Sequence, residues 1–137
     1  KIAVPGRLGH YELVGLLGAG GMGEVYRARD PRLKRDVALK VLSDGAAIDP
    51  NRQRRFIQES QAAGALNHPN IVAVYDVGAE DGIHYFVSEL VEGATLREEL
   101  LRGPLPVRRL IEFASQIADG LAAAHDAGLV HRDLKPE

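Results

Sequence analysis

Four glycines fall within six residues at Gly18–Gly23, with apolar, strand-like sequence on both sides. Such a run marks backbone that needs angles other residues avoid. Gly18-Ala19-Gly20-Gly21-Met22-Gly23-Glu24-Val25 fits G-x-G-x-x-G-x-V, a pattern that a flexible hairpin explains as readily as a ligand loop. The sequence after it shifts the balance. A dinucleotide-binding loop leads from strand into helix. Here Glu24–Arg29 reads as a returning strand, ended by the turn pair Asp30-Pro31. A strand–glycine loop–strand unit suits a flap whose backbone N–H groups lie over phosphates.

The rest of the chain reads as α+β. Residues 1–10 are rich in Gly and Pro and read as a loose lead-in. Strands are expected at Tyr11–Leu17, Glu24–Arg29 and Asp36–Leu42, the last alternating Val37, Leu39, Val41 against Ala38, Lys40, Leu42. Asp49 as N-cap and Pro50 at the first helical position open a helix that Pro69 closes. Two further strands are expected at Ile71–Val77 and His84–Glu89. A capping box, Thr95-Leu96-Arg97-Glu98, starts a short helix, and Pro106–Ala127 forms a long one with an apolar stripe at Leu110, Ala114, Ile117 and Leu121. Hairpin strands followed by helices predict a five-stranded antiparallel sheet with one helix, then two more helices.

Composition narrows the function classes. The 137 residues are 45% hydrophobic and 26% charged, with a net charge of -2, which gives no reason to expect nucleic acid as a partner. Cysteine is absent, which excludes disulfides and thiolate metal sites. No run approaches the ~20 apolar residues of a membrane span, and no signal-peptide pattern is present, so the cytoplasm is the expected compartment.

Three groups of residues carry chemistry. Lys40 shares a strand face with Ala38, a small residue that leaves room for a flat ring; by itself it would read as an exposed strand lysine. Glu59 lies between Phe56 and Ala63 on one face of the next helix, where an unpaired carboxylate would be costly, so a Lys40–Glu59 ion pair is expected. The last seven residues, His131-Arg132-Asp133-Leu134-Lys135-Pro136-Glu137, follow the long amphipathic helix. Asp133 is placed to accept a proton from a hydroxyl, and Lys135 to neutralise phosphate charge. By itself His131 reads as a satisfied core histidine, packed and hydrogen-bonded.

With Val37-Ala38-Leu39-Lys40, the glycine run and the closing H-R-D-L-K-P-E on the page, the chain resembles serine/threonine protein kinases of the bacterial, eukaryotic-like type. The likeness runs from about Tyr11 to Glu137 and includes Ala65–Val72 and His125–Pro136. It implies a kinase-like fold, with residues 11–91 as the N-lobe including the hinge and 92–137 as part of the C-lobe. It implies that Leu17, Val25 and Ala38 line an adenine pocket. Gly18, Ala19, Gly20, Gly21, Met22 and Gly23 would cover phosphates, and Lys40 and Glu59 would position them. Ser88 would be the gatekeeper, small for this group, with the Glu89 carbonyl and Val91 N–H at the adenine edge. Asp133 and Lys135 would serve phosphoryl transfer from ATP to protein Ser or Thr hydroxyls, with Mg2+ as companion ion.

The family's two metal-holding side chains, an Asn one position beyond Glu137 and the Asp of D-F-G, are not among these residues, so no metal ligand is assigned here. This chain alone is expected to be inactive, within a longer parent that a membrane segment could anchor. Self-association is expected through the N-lobe or through the helix at 106–127, whose stripe would lack its usual cover. A second reading is a non-catalytic adenine-nucleotide-binding or dimerisation module; a third is a fragment without independent function.

Overall fold

The computed structural model describes residues 2–20, 23–42 and 49–137. These form β1 (Gly6–Leu8), β2 (Tyr11–Gly20), β3 (Gly23–Asp30), β4 (Arg35–Leu42), α1 (Pro50–Gly64), β5 (Val74–Glu80), β6 (Ile83–Glu89), α2 (Leu96–Leu101) and α3 (Val107–Asp126). The α+β class holds. The strands make one antiparallel sheet in the order β1-β2-β3-β4-β6-β5. Among the described residues no helix is long and apolar enough to cross a membrane.

The sheet has six strands, not the five expected. The lead-in is built into it: Gly6 pairs with Leu13, Arg7 with Glu12 and Leu8 with Tyr11. Gly9 turns the chain at φ 58, an angle glycine adopts without strain. Three residues beside a proline are too short to show alternation, so this strand left no period to read.

Alternation on β3 and β4 builds the core. Tyr26 faces Leu39 and Ala28 faces Val37 across the ladder, and all four side chains are completely buried. Leu39 in turn faces Val87 of β6. Leu8, Tyr11, Leu13, Val41 and Tyr85 complete the cluster. Each fully buried aliphatic side chain of this kind contributes about 1.5–3 kcal/mol relative to leaving it wet. Asp30 ends β3 by accepting from the N–H groups of Arg32 and Leu33, at 2.9 and 3.2 Å, which explains a nearly fully buried carboxylate beside a turn.

The helices start as their sequences dictate. The Asp49 carboxylate accepts from Asn51 N at 2.9 Å, with Pro50 at the first helical position. Thr95 and Glu98 form the reciprocal capping box. The ends on either side of Pro69 differ from expectation. α1 stops at Gly64, ahead of Pro69, and β5 starts at Val74, three residues after Ile71. Between them His68–Ile71 forms a turn, in which His68 O accepts from Ile71 N at 3.1 Å and His68 Nδ1 accepts from Asn70 N at 3.1 Å.

The chain divides into two compact units, residues 1–65 with 73–90, and residues 66–72 with 91–137. The first holds the sheet and α1, which packs on β5 and sets Phe56 against Phe86 with ring centroids 5.5 Å apart. The second holds α2, α3, the 66–72 turn and the closing loop. In it Asn70 Nδ2 donates to the carbonyl of Gln116 at 3.0 Å. Gly120, the buried residue of α3, lies under that turn: a Cβ there would sit 3.0 Å from the Asn70 carbonyl oxygen.

Candidate active site

The described residues of the glycine run lie on paired strands. β2 stays paired through Gly20 and β3 resumes at Gly23, with Gly18 opposite Val25, Ala19 opposite Glu24 and Gly20 opposite Gly23. The expected loop of six residues is therefore mostly strand. Gly21 and Met22, assigned to the phosphate cover, lie outside the described residues. Gly23 has φ 132, which only glycine tolerates well. Nothing lies within 4 Å of a Cβ placed at Gly18, so the backbone there borders open space. A bulge between Leu16 and Gly18 takes Leu17 out of the ladder and leaves its side chain half exposed.

The register gathers the next group on one face of the sheet. Val25 pairs with Lys40, and Lys40 pairs with Phe86. Ala38 and Ser88, one alternation away on the same two strands, pair with each other. So Val25, Ala38, Lys40, Phe86 and Ser88 share a face, and α1 lies over part of it. Lys40, Phe56, Glu59, Ala63, Val74 and Phe86 line a cavity of about 220 Å³.

Lys40 and Glu59 face that cavity, yet no ion pair joins them among the described residues. The expected pair is corrected here. Its argument was the cost of a buried, unpaired carboxylate. Glu59 is exposed, so water solvates it and that cost does not arise. Lys40 keeps its ammonium 5.9 Å from the Phe86 ring centroid. It is a half-buried cation with no carboxylate partner among the described residues.

Ser88 is buried, at 9% exposure, and its hydroxyl donates a long bond to the Glu89 carbonyl at 3.4 Å. Ala73 fixes Glu89 twice: the Glu89 N–H donates to Ala73 O at 2.8 Å, and the Glu89 carboxylate accepts from Ala73 N at 3.3 Å. Val91, the last assigned adenine contact, is 64% exposed.

The second unit brings Asp133 and Lys135 together. Lys135 Nζ donates to Asp133 Oδ2 at 2.9 Å, and that bond raises the lysine above its ordinary pKa. Asp133 N donates to His131 Nδ1 at 3.2 Å. Arg132, between them, has φ 63. His131 is hydrogen-bonded as expected but exposed, not packed. The loop's end is tied to α2: Arg97 N donates to the Pro136 carbonyl at 2.9 Å, and the Arg97 guanidinium pairs with Glu137.

Sequence reasoning missed Arg97, Asn70 and Gly120 as holders of these segments. Gly120 did carry a signal. A glycine inside a helix costs about 1 kcal/mol against alanine, so an interior glycine marks a close approach.

The protein kinase domain family model matches residues 11–137. The serine/threonine-protein kinase PrkC of Bacillus subtilis is 46% identical over 129 residues, covering 93% of this chain and 20% of the relative. The serine/threonine-protein kinase PknB of Mycobacterium leprae is 49% identical over 131 residues, covering 92% and 21%. The crystal structure of the Mycobacterium tuberculosis PknI kinase domain superposes with a TM-score of 0.87 at 34% identity, covering 99% of this chain and 56% of that one. The chain thus spans about a fifth of the length of these curated relatives. On a match that covers nearly all of its length, the chain belongs to the protein kinase domain family.

Proposed function

We propose that this chain is the nucleotide-binding portion of a serine/threonine protein kinase, which transfers the γ-phosphoryl group of ATP to protein Ser or Thr hydroxyls. Residues 11–91 are assigned to the N-lobe with the hinge, and 92–137 to the C-lobe. The observation that carries the reading is the shared sheet face: Lys40, without a carboxylate partner among the described residues, lies in register with Val25 beside an open glycine hairpin. A flat apolar ring fits against Val25 and Ala38, and phosphates fit between the hairpin and the ammonium. Leu17, Ser88, the Glu89 carbonyl and the Val91 N–H are assigned to the adenine end.

Asp133 is assigned to hold the acceptor hydroxyl and take its proton. Lys135 is assigned to the charge that spreads over the transferring group in a loose transition state. Their bond at 2.9 Å supports this division, because it holds the two side chains together in one loop and raises the lysine above its ordinary pKa. The companion ion is Mg2+, which binds through phosphate oxygens and carboxylates and offsets phosphate charge. The activity is assigned to the cytoplasm, where ATP is available, with self-association through α3 as a further proposal.

The test is phosphate transfer from radiolabelled ATP to a protein acceptor, in the intact protein that carries this chain. Asp133→Asn should reduce transfer to background with nucleotide affinity unchanged. If label is transferred at the wild-type rate by Asp133→Asn, the assignment fails. Nucleotide binding without transfer in the wild type points instead to a non-catalytic binding module.

A further inference from the structure

The family match begins at residue 11, yet the first sheet unit begins earlier. β1 supplies its edge strand, and Ile2 packs against the buried cluster. Between them the chain folds back on itself at a glycine: a Cβ on Gly6 would come within 2.2 Å of the Ala3 carbonyl oxygen. The lead-in is therefore a shaped segment that only a residue without a side chain permits.

Its contact inside the sheet is the hydroxyl of Tyr26. Ile2 N donates to that oxygen at 2.9 Å, and the hydroxyl itself donates to the Glu24 carboxylate. Tyr26 is completely buried, so its hydroxyl must find partners, and these two supply them. Glu24 is next to Gly23, where β3 leaves the glycine hairpin, and it pairs with Ala19 on the other arm. The hydrogen bonds thus run from Ile2 through Tyr26 to the base of the hairpin. Ala19 and Gly20, on the arm opposite, carry little or no side chain to pack, so the position of that arm depends on what holds the base.

We propose that residues Ile2–Leu8 form an N-terminal strap that positions the glycine hairpin, with Tyr26 as the positioning residue connecting the two. The ligand consequence rests on the reading that this hairpin covers ATP phosphates. The strap itself does not. Chain entering the domain from its N-terminal side is then able to tighten or loosen the phosphate cover, without touching nucleotide.

The test is amide hydrogen exchange, by mass spectrometry, on the 137-residue chain. Tyr26→Phe removes the hydroxyl and keeps the ring. Gly6→Ala disturbs the fold-back from the surface and serves if the core variant does not fold. In both, peptides covering residues 15–27 should exchange about two- to tenfold faster, the opening expected from one lost hydrogen bond. Peptides from β4, β6 and α3 should keep their wild-type rates. Hairpin exchange that is unchanged in the folded variants overturns the proposal. So does a uniform increase across the sheet, which would mean that Tyr26 and the lead-in only fill the core. ATP binding is measured alongside, with affinity expected to fall by a similar factor. Faster hairpin exchange in a chain whose wild type binds no ATP supports the strap and counts against the kinase reading alone.

Discussion

The side-chain amide of Asn70 donates to the carbonyl of Gln116, while the backbone carbonyl oxygen of Asn70 lies against Gly120, one helical turn on. One asparagine thus seats the 66–72 turn on α3, and the helix meets it with bare backbone. Asn70→Ala should destabilise this seat by about 0.5–1.5 kcal/mol, the worth of one hydrogen bond. Gly120→Ala should lack the roughly 1 kcal/mol that alanine ordinarily adds to a helix interior, because its Cβ would press on the Asn70 carbonyl. Urea unfolding of both variants is the measurement. A Gly120→Ala chain that gains the full helix propensity would show that the close approach carries no cost.

Lys40 and Glu59 should respond to mutation in different ways. Lys40→Met removes a cation proposed to meet phosphate, and charged hydrogen bonds are worth about 1.5–3 kcal/mol, so ATP affinity should fall roughly 10- to 150-fold. Glu59 is exposed and has no partner cation among the described residues, so Glu59→Ala should change stability by less than about 0.5 kcal/mol. A strong fall in phosphate transfer by the intact protein, at unchanged stability, would give Glu59 the positioning role that the family resemblance implies. Calorimetric ATP binding and a transfer assay separate the two effects. Equal loss of ATP affinity in both variants would count against this division.

How much the sequence disclosed differs by element. The alternation in Val37–Leu42 and the capping signals at Asp49 and Thr95 fixed a strand and two helix starts, because period and cap chemistry are local. Strand β1 escaped because three residues carry no period, and its pairing with β2 is a tertiary fact. The 71–73 segment looked like strand because Ile71, Val72 and Ala73 are apolar. Seating by Asn70 overrides that local preference. The open Lys40–Glu59 pair was illegible for another reason. Helical spacing gives the face on which Glu59 stands, but not the distance across a cavity.

Alkaline pH should unfold this protein. Burial is the first cause that raises the Tyr11, Tyr26 and Tyr85 hydroxyls above their ordinary range; Asp76 beside Tyr11 and Glu24 beside Tyr26 add to it. The folded state then holds these protons where the unfolded chain has released them. The stabilisation is fully present below the ordinary tyrosine value of about 10 and is lost as pH rises through and beyond it. Tyr11→Phe should flatten part of the slope while losing the 2.8 Å bond to Asp76. Urea midpoints measured at steps from neutral to strongly alkaline pH give the slope. An identical slope in wild type and variant would refute the assignment to Tyr11.

The apolar stripe of α3 predicts self-association of the isolated chain. Leu110, Ile111 and Ile117 are 52%, 59% and 40% exposed on a helix of 20 residues. Contiguous apolar surface of this kind favours covering by another surface. Leu110→Glu with Ile117→Glu should convert associated chain to monomer without unfolding the sheet unit. Sedimentation equilibrium reads this out. A wild type that stays monomeric at every concentration tested would dismiss α3 as a contact.

Ser88 is the residue proposed to set the size of the adenine end. Its side chain is buried on the face shared with Ala38 and Lys40, and the ladder pairs it directly with Ala38. Two small residues side by side leave room that a larger pair would fill. An adenine analogue with a bulky substituent should therefore bind nearly as well as plain adenine nucleotide. Ser88→Met fills the same room, and overpacking a closed site costs about 1–3 kcal/mol, so the bulky analogue should weaken roughly 5- to 150-fold. Plain ATP should keep its affinity, because the added methionine lies behind the ring. Titration of both ligands against both chains decides it. If Ser88→Met leaves the bulky analogue unaffected, the residue behind the adenine lies elsewhere, and the hinge assignments at Glu89 and Val91 shift with it.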